Sequence, residues 1–497
     1  MARSDAFVGK VEDRRVAVNA LLDPGTRSEL GQFMTPASVA SVMAACISID
    51  REDLKLLDPG AGVGSLTAAV VARIIDSEIR PSTVTLTAYE IDPFMRQWLA
   101  ATLADCTQAL VEIGVQVSTS LIAEDFVQAS LRSDARGTFT SAILNPPFMK
   151  MAARGATADR LRSRGWSAAN LYTAFWSAAI AQVEPGGDIV AVTPRSYCNG
   201  TYFAGFRRFL LRESALRCIH VFDARDKAFS EDGVLQETVI THSIRGVQAT
   251  PVELSVSHRP GAPVRRRTAM ATEVVLVDDP AAFVRLPIDE RDDAARSWMS
   301  NLGHSLTDLG VSVSTGRVVD FRAREHLRDR YSAGLIPLLY PTHMTDGAVT
   351  WPKSGRKPNA LDPSGAENLL TSEGHYTIVK RFSAKEERRR VVASYYDGSL
   401  GRPAGDGGPR VIALENHLNF FHMKGQPLPD WMARGLTMFL NSSMVDAYFR
   451  EFNGHTQVNA GDLRSLRYPG PAQLRTLSDA WGRGLSQAEI DAAIDSV

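Results

Sequence analysis

The sequence predicts an α/β protein: a doubly wound, mostly parallel sheet over roughly the first 245 residues, then a mixed α+β region. Three observations predict it. Short apolar runs that read as strands alternate with helical stretches from Leu54 onward. A glycine loop, Asp58-Pro59-Gly60-Ala61-Gly62-Val63-Gly64, joins the first such strand to a helix. From residue 311 the texture changes to short β-like runs between polar, Gly/Pro-rich loops. The expected division is a ligand-binding domain over 1–305 and a second domain over 306–497. A chain of 497 residues that is 44% hydrophobic can supply both cores.

Residues 8–30 read as a charged helix broken at Asp23-Pro24-Gly25. The segment Gly31-Gln32-Phe33-Met34-Thr35-Pro36 then leads into an alanine-rich helical pattern, Ala37 to Cys46. Thr35 before Pro36 reads as a helix start, a hydroxyl cap with proline in the first turn. That helix start is either only a cap or a seat for a carboxylate. Leu54 to Leu57 reads as a buried strand feeding the glycine loop, and a helix runs on to about Ile75. This is the strand–loop–helix unit of a Rossmann-like sheet, with glycines that let a ligand approach the backbone. It lacks both the dinucleotide fingerprint and the lysine of a P-loop. The acid at the strand end, Asp58, repels phosphate and attracts an amine, which favours a small cationic cofactor.

The strand Thr83 to Tyr89 ends in Glu90-Ile91-Asp92, with Glu90 lying 26 residues past Gly64. A carboxylate at that tip is placed to hold ribose hydroxyls. Val115 to Ile122 ends in Glu124-Asp125-Phe126, an acid beside an aromatic that suits an adenine ring. Any one of these acids reads equally as a solvated strand end; three at successive tips form a pattern. The fourth run ends in Asn145-Pro146-Pro147-Phe148. The two prolines forbid helix and ladder pairing, so one amide and two donor-free peptide units enter the crevice beyond the sheet. The plain alternative is a proline-rich turn closing a core strand.

Asn170 to Val183 reads as a helix carrying Tyr172, Phe175 and Trp176, and Pro185-Gly186-Gly187-Asp188 as a turn. Further strands are expected at Ile189–Val192, Ser214–Phe222 and Val234–Ile240. Phe229, in the polar loop Ala224 to Gly233, is either a local anchor or a cover for a base. The stretch 250–310, with Arg265-Arg266-Arg267, reads as a sheet edge or a connection.

In the second domain, strands are expected at Leu335–Tyr340, Tyr376–Arg381, Arg390–Tyr396 and Val411–Leu414. Basic clusters lie among them: Lys353, Arg356 and Lys357, then Lys380, Arg381, Lys385 and Arg388 to Arg390, interleaved with Trp351, Tyr376 and Phe382. Residues 311–480 carry 22 Lys+Arg against 17 Asp+Glu, a net of +5. This suits a phosphate-backbone partner or a merely solvated hairpin. Leu436 to Phe452 reads as one helix, followed by Asn453-Gly454-His455-Thr456-Gln457-Val458-Asn459. So many amides suit base edges or a helix cap. Ser486 to Val497 reads as a terminal helix.

There is no apolar run of ~18 residues, so no membrane span is expected. Met1 to Arg15 is polar and charged, unlike a signal peptide, and four scattered cysteines suggest neither disulfides nor zinc. A cytoplasmic monomer without metal is the expectation. No internal repeat is visible.

The order of these elements resembles the gamma class of S-adenosylmethionine-dependent N6-adenine DNA methyltransferases. The resemblance rests on Thr35-Pro36, Asp58 to Gly64, Glu90, Asp125-Phe126 and Asn145-Pro146-Pro147-Phe148, and covers about the first 245 residues. The tail from Phe439-Leu440-Asn441-Ser442-Ser443 through Asn453 to Asp462-Leu463-Arg464 looks like the target-recognition region of type II modification methylases, and more narrowly is similar to those of the BsuBI/PstI type.

The resemblance implies S-adenosyl-L-methionine as cofactor, with Asp58, Gly60, Ala61 and Gly62 at its methionine end and Phe33, Thr35 and Pro36 beside its carboxylate. Glu90 would bind ribose, Ile91 would pack on the adenine, and Asp125 and Phe126 would hold that ring. Asn145, Pro146, Pro147 and Phe148, with Phe229, would take a flipped adenine, and Asn145 would also touch the cofactor. Double-stranded DNA would be the partner, contacted by Lys353, Arg356, Lys357, Lys380, Arg381, His455, Gln457 and Asn459. A cognate restriction endonuclease would act separately. Residues 1–305 would form the catalytic domain and 306–497 the target-recognition domain. The alternatives are methylation of RNA or of a protein glutamine, or a non-catalytic nucleic-acid-binding protein.

Overall fold

A computed structural model describes residues 2–22, 33–132, 136–151, 155–167, 169–222, 237–248, 250–277, 279–383, 387–398, 410–454 and 456–497. The chain divides into two compact units, Met1–Ile288 and Asp289–Val497. The division falls earlier than residue 305, because the helix Glu290–Ser300 packs against the helix Ser443–Phe452 and so belongs to the second unit.

Unit 1 is a nine-stranded sheet with helices. In chain order its elements are α1 (Ala2–Leu21), α2 (Ala37–Ala44), β1 (Asp53–Pro59), α3 (Ser65–Asp76), β2 (Thr83–Tyr89), α4 (Pro93–Glu112), β3 (Gln116–Ile122), α5 (Phe126–Arg132) and β4 (Phe139–Leu144). They continue with α6 (Ala156–Ser163), α7 (Leu171–Gln182), β5 (Val183–Pro194), α8 (Ala204–Glu213), β6 (Ser214–Phe222), β7 (Thr238–Arg245), β8 (Val252–Ser257) and β9 (Val264–Ala269). The strand order is β3-β2-β1-β4-β5-β7-β6-β8-β9. Strands β1 to β5 are mutually parallel; β7 runs antiparallel to β5 and β6. Every residue of β4 is buried, as a strand covered on both faces requires. The chain reverses winding between β1 and β4, and ligand crevices of open α/β sheets form at that switch.

The segment 250–310 supplies a sheet edge: β9, with Arg265, Arg266 and Arg267, is the last strand. The expected turn at Pro185–Asp188 is instead part of β5. Phe139 pairs with Val183 but Ser141 pairs with Asp188, so extra residues bulge out of β5 there. Gly186 takes φ 83°, and a Cβ on Gly187 would fall 2.5 Å from the Thr140 carbonyl oxygen. Of the strand expected at Val234–Ile240, residues 234–236 lie outside the described set; β7 runs from Thr238.

Unit 2 carries two sheets. The six-stranded one is ordered Ser312–Thr315, Leu418–His422, Tyr376–Lys380, Ala393–Tyr396, Ala348–Val349, Met344–Thr345. The five-stranded one is ordered Leu327–Arg328, Ala360–Leu361, Ile336–Leu339, Val411–Leu414, Leu370–Ser372. The single helix expected over Leu436–Phe452 is two, Asp430–Leu440 and Ser443–Phe452. Ser442 breaks it by capping the second helix: its hydroxyl accepts from the Val445 N–H at 3.2 Å.

Candidate active site

Strands β3, β2, β1 and β4 are adjacent and parallel, so their carboxyl ends share one edge. Register pairs Pro59 with Tyr89 and Tyr89 with Ile122, which sets the glycine loop, Glu90 and the Asp125 segment side by side. The loop is tied down by backbone bonds: Gly60 and Ala61 N–H both donate to the Tyr89 carbonyl at 2.9 Å. Gly60, Gly62 and Gly64 have φ of 74°, 55° and 86°, the left-handed region that favours glycine.

Around this edge lies a cavity of about 640 Å³, inside the range of about 300–1,000 Å³ usual for cofactor pockets. Of the residues expected to touch the cofactor, Phe33, Thr35, Gly60, Ala61, Gly62, Glu90, Ile91, Asp125, Phe126 and Asn145 line it, and so does Pro147. Pro36, Asp58, Pro146 and Phe148 are not among its lining residues. Phe229 lies outside the described residues.

Glu90 is 8% exposed and accepts two backbone bonds, from Gly62 N–H and from Asp92 N–H, each at 2.8 Å. Burial pushes its carboxyl upward from the usual range. Each oxygen still has a lone pair to offer. Asp125 caps α5, accepting from the Gln128 N–H at 2.7 Å. Phe126 packs edge-on against Tyr89 at 5.1 Å and tilted against Phe175 at 5.5 Å. Ile91 is 61% exposed, an apolar side chain at the cavity rim.

Asp58 lies behind the cavity lining. Its carboxylate is 1% exposed and accepts from the Thr67 hydroxyl of α3 at 2.7 Å. Its Oδ1 has no hydrogen-bond partner among the described residues, and burial raises its pKa to about 7. The strand delivers this acid to the sheet–helix interface, where one oxygen is taken by Thr67. Cavity contact at this tip comes from Gly60, Ala61 and Gly62.

Thr35 is likewise not a helix cap. Pro36 holds the N-cap position of α2, and the first helical N–H, that of Ala37, donates to Glu12 Oε2 at 3.1 Å. The Thr35 hydroxyl instead accepts from the Asn145 amide, whose Nδ2 donates to Thr35 Oγ1 at 3.0 Å and to the Phe33 carbonyl at 2.7 Å. Both amide hydrogens are thereby committed, and Oδ1 is left as the acceptor end of the group. Phe148 is half-buried and edge-on to Tyr172 at 6.1 Å; Tyr172 stacks on Phe203 at 5.5 Å. Sequence reasoning missed Met34, Tyr89, Phe94, Met95 and Phe175 as wall residues. Tyr89, the last residue of β2 before Glu90, was within reach of the strand-tip argument; Phe175 looks only like core.

In unit 2, Lys353, Arg356 and Lys357 are exposed. Lys353 donates to the Thr342 carbonyl and the Thr345 hydroxyl. Lys357 pairs with Asp320 at 2.7 Å and lies 4.8 Å from the Tyr340 ring centroid. Lys380 ends the strand Tyr376–Lys380 and Arg381 follows it, beside the amide-rich loop: Val458 N–H donates to the Arg381 carbonyl at 2.7 Å, and Phe382 bridges Gln457. Asn459 caps the helix Ala460–Arg464 with Asp462, and His455 lies outside the described residues. Among the described residues no group of three or more His, Cys, Asp or Glu is placed to hold a metal, and no helix is long and apolar enough to cross a membrane.

A doubly wound sheet with a cavity over a glycine loop, an acid at the second strand tip and Asn-Pro-Pro-Phe at the fourth defines a class, the methyltransferases with this Rossmann-like fold. Residues 102–229 match the family described as Eco57I restriction-modification methylase. The chain belongs to the type II methyltransferases of restriction-modification systems. It is 39% identical over 494 residues to the type II methyltransferase M.PstI of Providencia stuartii, covering 98% of this chain and 96% of that one. It is 38% identical over 503 residues to M.BsuBI of Bacillus subtilis, covering 98% and 97%. Two solved structures share the fold. The type IIL restriction-modification enzyme MmeI, determined with DNA, gives a TM-score of 0.54 at 12% identity over 89% of this chain and 70% of that one. A DrdV–DNA complex gives 0.52 at 12% identity over 92% and 57%.

Proposed function

We propose that the protein is a site-specific, adenine-specific DNA methyltransferase. It moves a methyl group from S-adenosyl-L-methionine to N6 of an adenine flipped out of duplex DNA, and so protects that DNA from a separate endonuclease. The observation that carries this reading is the pinned Asn145 amide, whose free end is an acceptor at the cavity wall.

S-adenosyl-L-methionine fits the cavity by chemistry: a glycine cradle, a buried acid at Glu90, and an acid–aromatic pair at Asp125 and Phe126. Glu90 would accept from ribose hydroxyls, Asp125 from the exocyclic amine, and Ile91 and Phe126 would flank the purine. When bound, the cofactor supplies an electrophilic methyl group. The Asn145 Oδ1 and the Pro146 carbonyl accept the two N6 hydrogens of the target base. Adenine's amino lone pair is delocalised into its ring, so the nitrogen is a poor nucleophile. Acceptors already in place favour a pyramidal nitrogen and stabilise the positive charge that grows on it. The residues that would hold cofactor and base in one cavity would supply much of the remaining acceleration through proximity. Phe148 stacks on the extruded ring, whose extrusion costs a few kcal/mol. Residues 289–497 carry the duplex contacts, among them Lys380, Arg381 and Gln457.

Tritium transfer from labelled cofactor to duplex DNA, RNA or protein tests the reading, and modification-sensitive sequencing identifies the methylated base. Label in DNA at adenine is expected; label only in RNA or at a protein glutamine overturns it. Asn145→Ala lowers turnover by at least roughly 100- to 1,000-fold with cofactor affinity retained. Full activity in that variant removes the mechanism.

A further inference from the structure

The turn Glu415–His417 joins the strands Val411–Leu414 and Leu418–His422. Glu415 is 1% exposed, and both its oxygens face one residue: Oε2 accepts from the His417 N–H at 2.9 Å, and Oε1 holds the imidazole Nδ1. The His417 side chain is nevertheless 47% exposed. Capping the turn uses one carboxylate oxygen; the other fixes the orientation of a ring that reaches solvent. Beside it stands Phe382, 40% exposed, with ring centroids 4.9 Å apart. The Arg381 guanidinium lies 5.8 Å from the Phe382 centroid and donates to the Asn416 carbonyl at 3.2 Å. The backbone locks the group together. Arg381 N–H donates to the His417 carbonyl at 2.8 Å, and Ser383 N–H to the Thr456 carbonyl at 3.0 Å. The buried Asn419 amide donates to the Val458 carbonyl at 2.7 Å, holding the amide-rich loop against the same edge.

An aimed imidazole, an exposed ring and a guanidinium on a rigid mount present recognition chemistry. Nδ1–H is committed to Glu415, and Nε2, with its lone pair, is the ring atom left to accept. In the major groove the donors that an acceptor can read are the exocyclic amines, adenine N6 and cytosine N4. We propose that His417 is a specificity-determining residue: its Nε2 accepts from the exocyclic amine of one base pair of the recognition sequence. Glu415 is its positioning residue, Phe382 packs against that base, and Arg381 neutralises the adjoining phosphate. This rests on the reading of the chain as a DNA methyltransferase.

The test methylates genomic DNA with the full-length wild-type, His417→Ala and Glu415→Gln proteins, reads the sites by modification-sensitive sequencing, and measures kcat/KM on cognate and single-substitution duplexes. His417→Ala is expected to lower cognate kcat/KM roughly 10- to 100-fold and to relax the motif at one position. Cofactor affinity and low-salt non-specific DNA binding stay within about twofold. Glu415→Gln shifts the same position by less. His417 is exposed, so its variant folds even if the buried Glu415→Gln does not. An unchanged motif with full kcat/KM in His417→Ala overturns the proposal alone. Wild-type label found in RNA or protein rather than DNA overturns the functional reading, and the proposal with it.

Discussion

The cavity edge of unit 1 and the basic edge of unit 2 present their polar groups in opposite ways. In unit 1 four parallel neighbours end together, so residues spread from Gly60 to Asn145 meet because the strands do. Each side chain there is held by backbone: Glu90 by two N–H groups, Asp125 by its own helix, Asn145 by the Phe33 carbonyl. In unit 2 the strands are short, many of two to five residues, and the exposed groups sit on turns and loops held by other turns and loops. A parallel sheet thus gathers function through its topology, whereas a sheet of short strands gathers it contact by contact. In the second kind of surface one side chain can be replaced without moving the strands that carry its neighbours.

The sharpest way to break this contrast is at Glu90. Glu90→Ala leaves the Gly62 and Asp92 N–H groups without their carboxylate at a buried position, a loss of about 1–3 kcal/mol for each unpaired group. The loop loses its shape as well as the acceptor proposed for ribose. Cofactor affinity by calorimetry is expected to fall at least about 100-fold, with Glu90→Gln in between. Retained affinity in Glu90→Ala shows that backbone support of this tip is dispensable.

Asp58 gives the next largest effect. Burial raises its pKa to about 7, above its value in the unfolded chain. Between about pH 4 and pH 7 the native chain keeps a proton that the unfolded chain has released, so stability falls as pH rises through that window. Without cofactor, wild type loses about 2 kcal/mol from pH 5 to pH 7 relative to Asp58→Asn, which keeps an acceptor for Thr67 and does not ionise. Parallel denaturation curves for the two proteins across that range mean that Asp58 is ionised throughout.

How much of this was legible in the sequence follows from the same contrast. The tips at Glu90, Asp125 and Asn145 could be read because apolar run, then acid or amide, is a local pattern, and parallel strands align such patterns without further information. The direction of a side chain at a tip could not be read. Asp58 and Gly60 are two residues apart, yet one turns to α3 and the other lines the cavity. Thr35 and Asn145 are 110 residues apart, and nothing local to either announces their bond. At Asn441-Ser442 the serine is plain in the sequence, but that its hydroxyl turns back to cap the second helix is not. In unit 2 the basic clusters were legible as charge only. That Lys357 is paired at the surface with Asp320 while His417 is aimed outward by Glu415 depends on pairs no periodicity encodes.

Thr35→Val sharpens the comparison at a smaller scale. It removes the acceptor of one Asn145 hydrogen while nearly keeping shape. One neutral hydrogen bond contributes about 0.5–1.5 kcal/mol, so kcat is expected to fall roughly 3- to 10-fold while KM for DNA stays put. A KM effect without a kcat effect would assign Thr35 to ligand binding rather than to holding the amide.

The smallest effect is expected at Lys357, and it bears on which basic cluster meets DNA. Its ammonium already pairs with Asp320, at 43% and 37% side-chain exposure, and covers the Tyr340 ring. Exposed pairs of this kind contribute about 0–1 kcal/mol. A lysine so engaged releases few counterions when DNA binds, whereas Arg381 flanks the exposed Phe382. Lys357→Ala therefore leaves the salt dependence of DNA affinity unchanged, while Arg381→Ala reduces the slope of log K against log salt by about one. The reverse ranking would favour the Lys353–Lys357 turn over the Arg381–His417 edge proposed to meet the duplex, and the contrast between an aimed surface and a merely charged one would lose its basis.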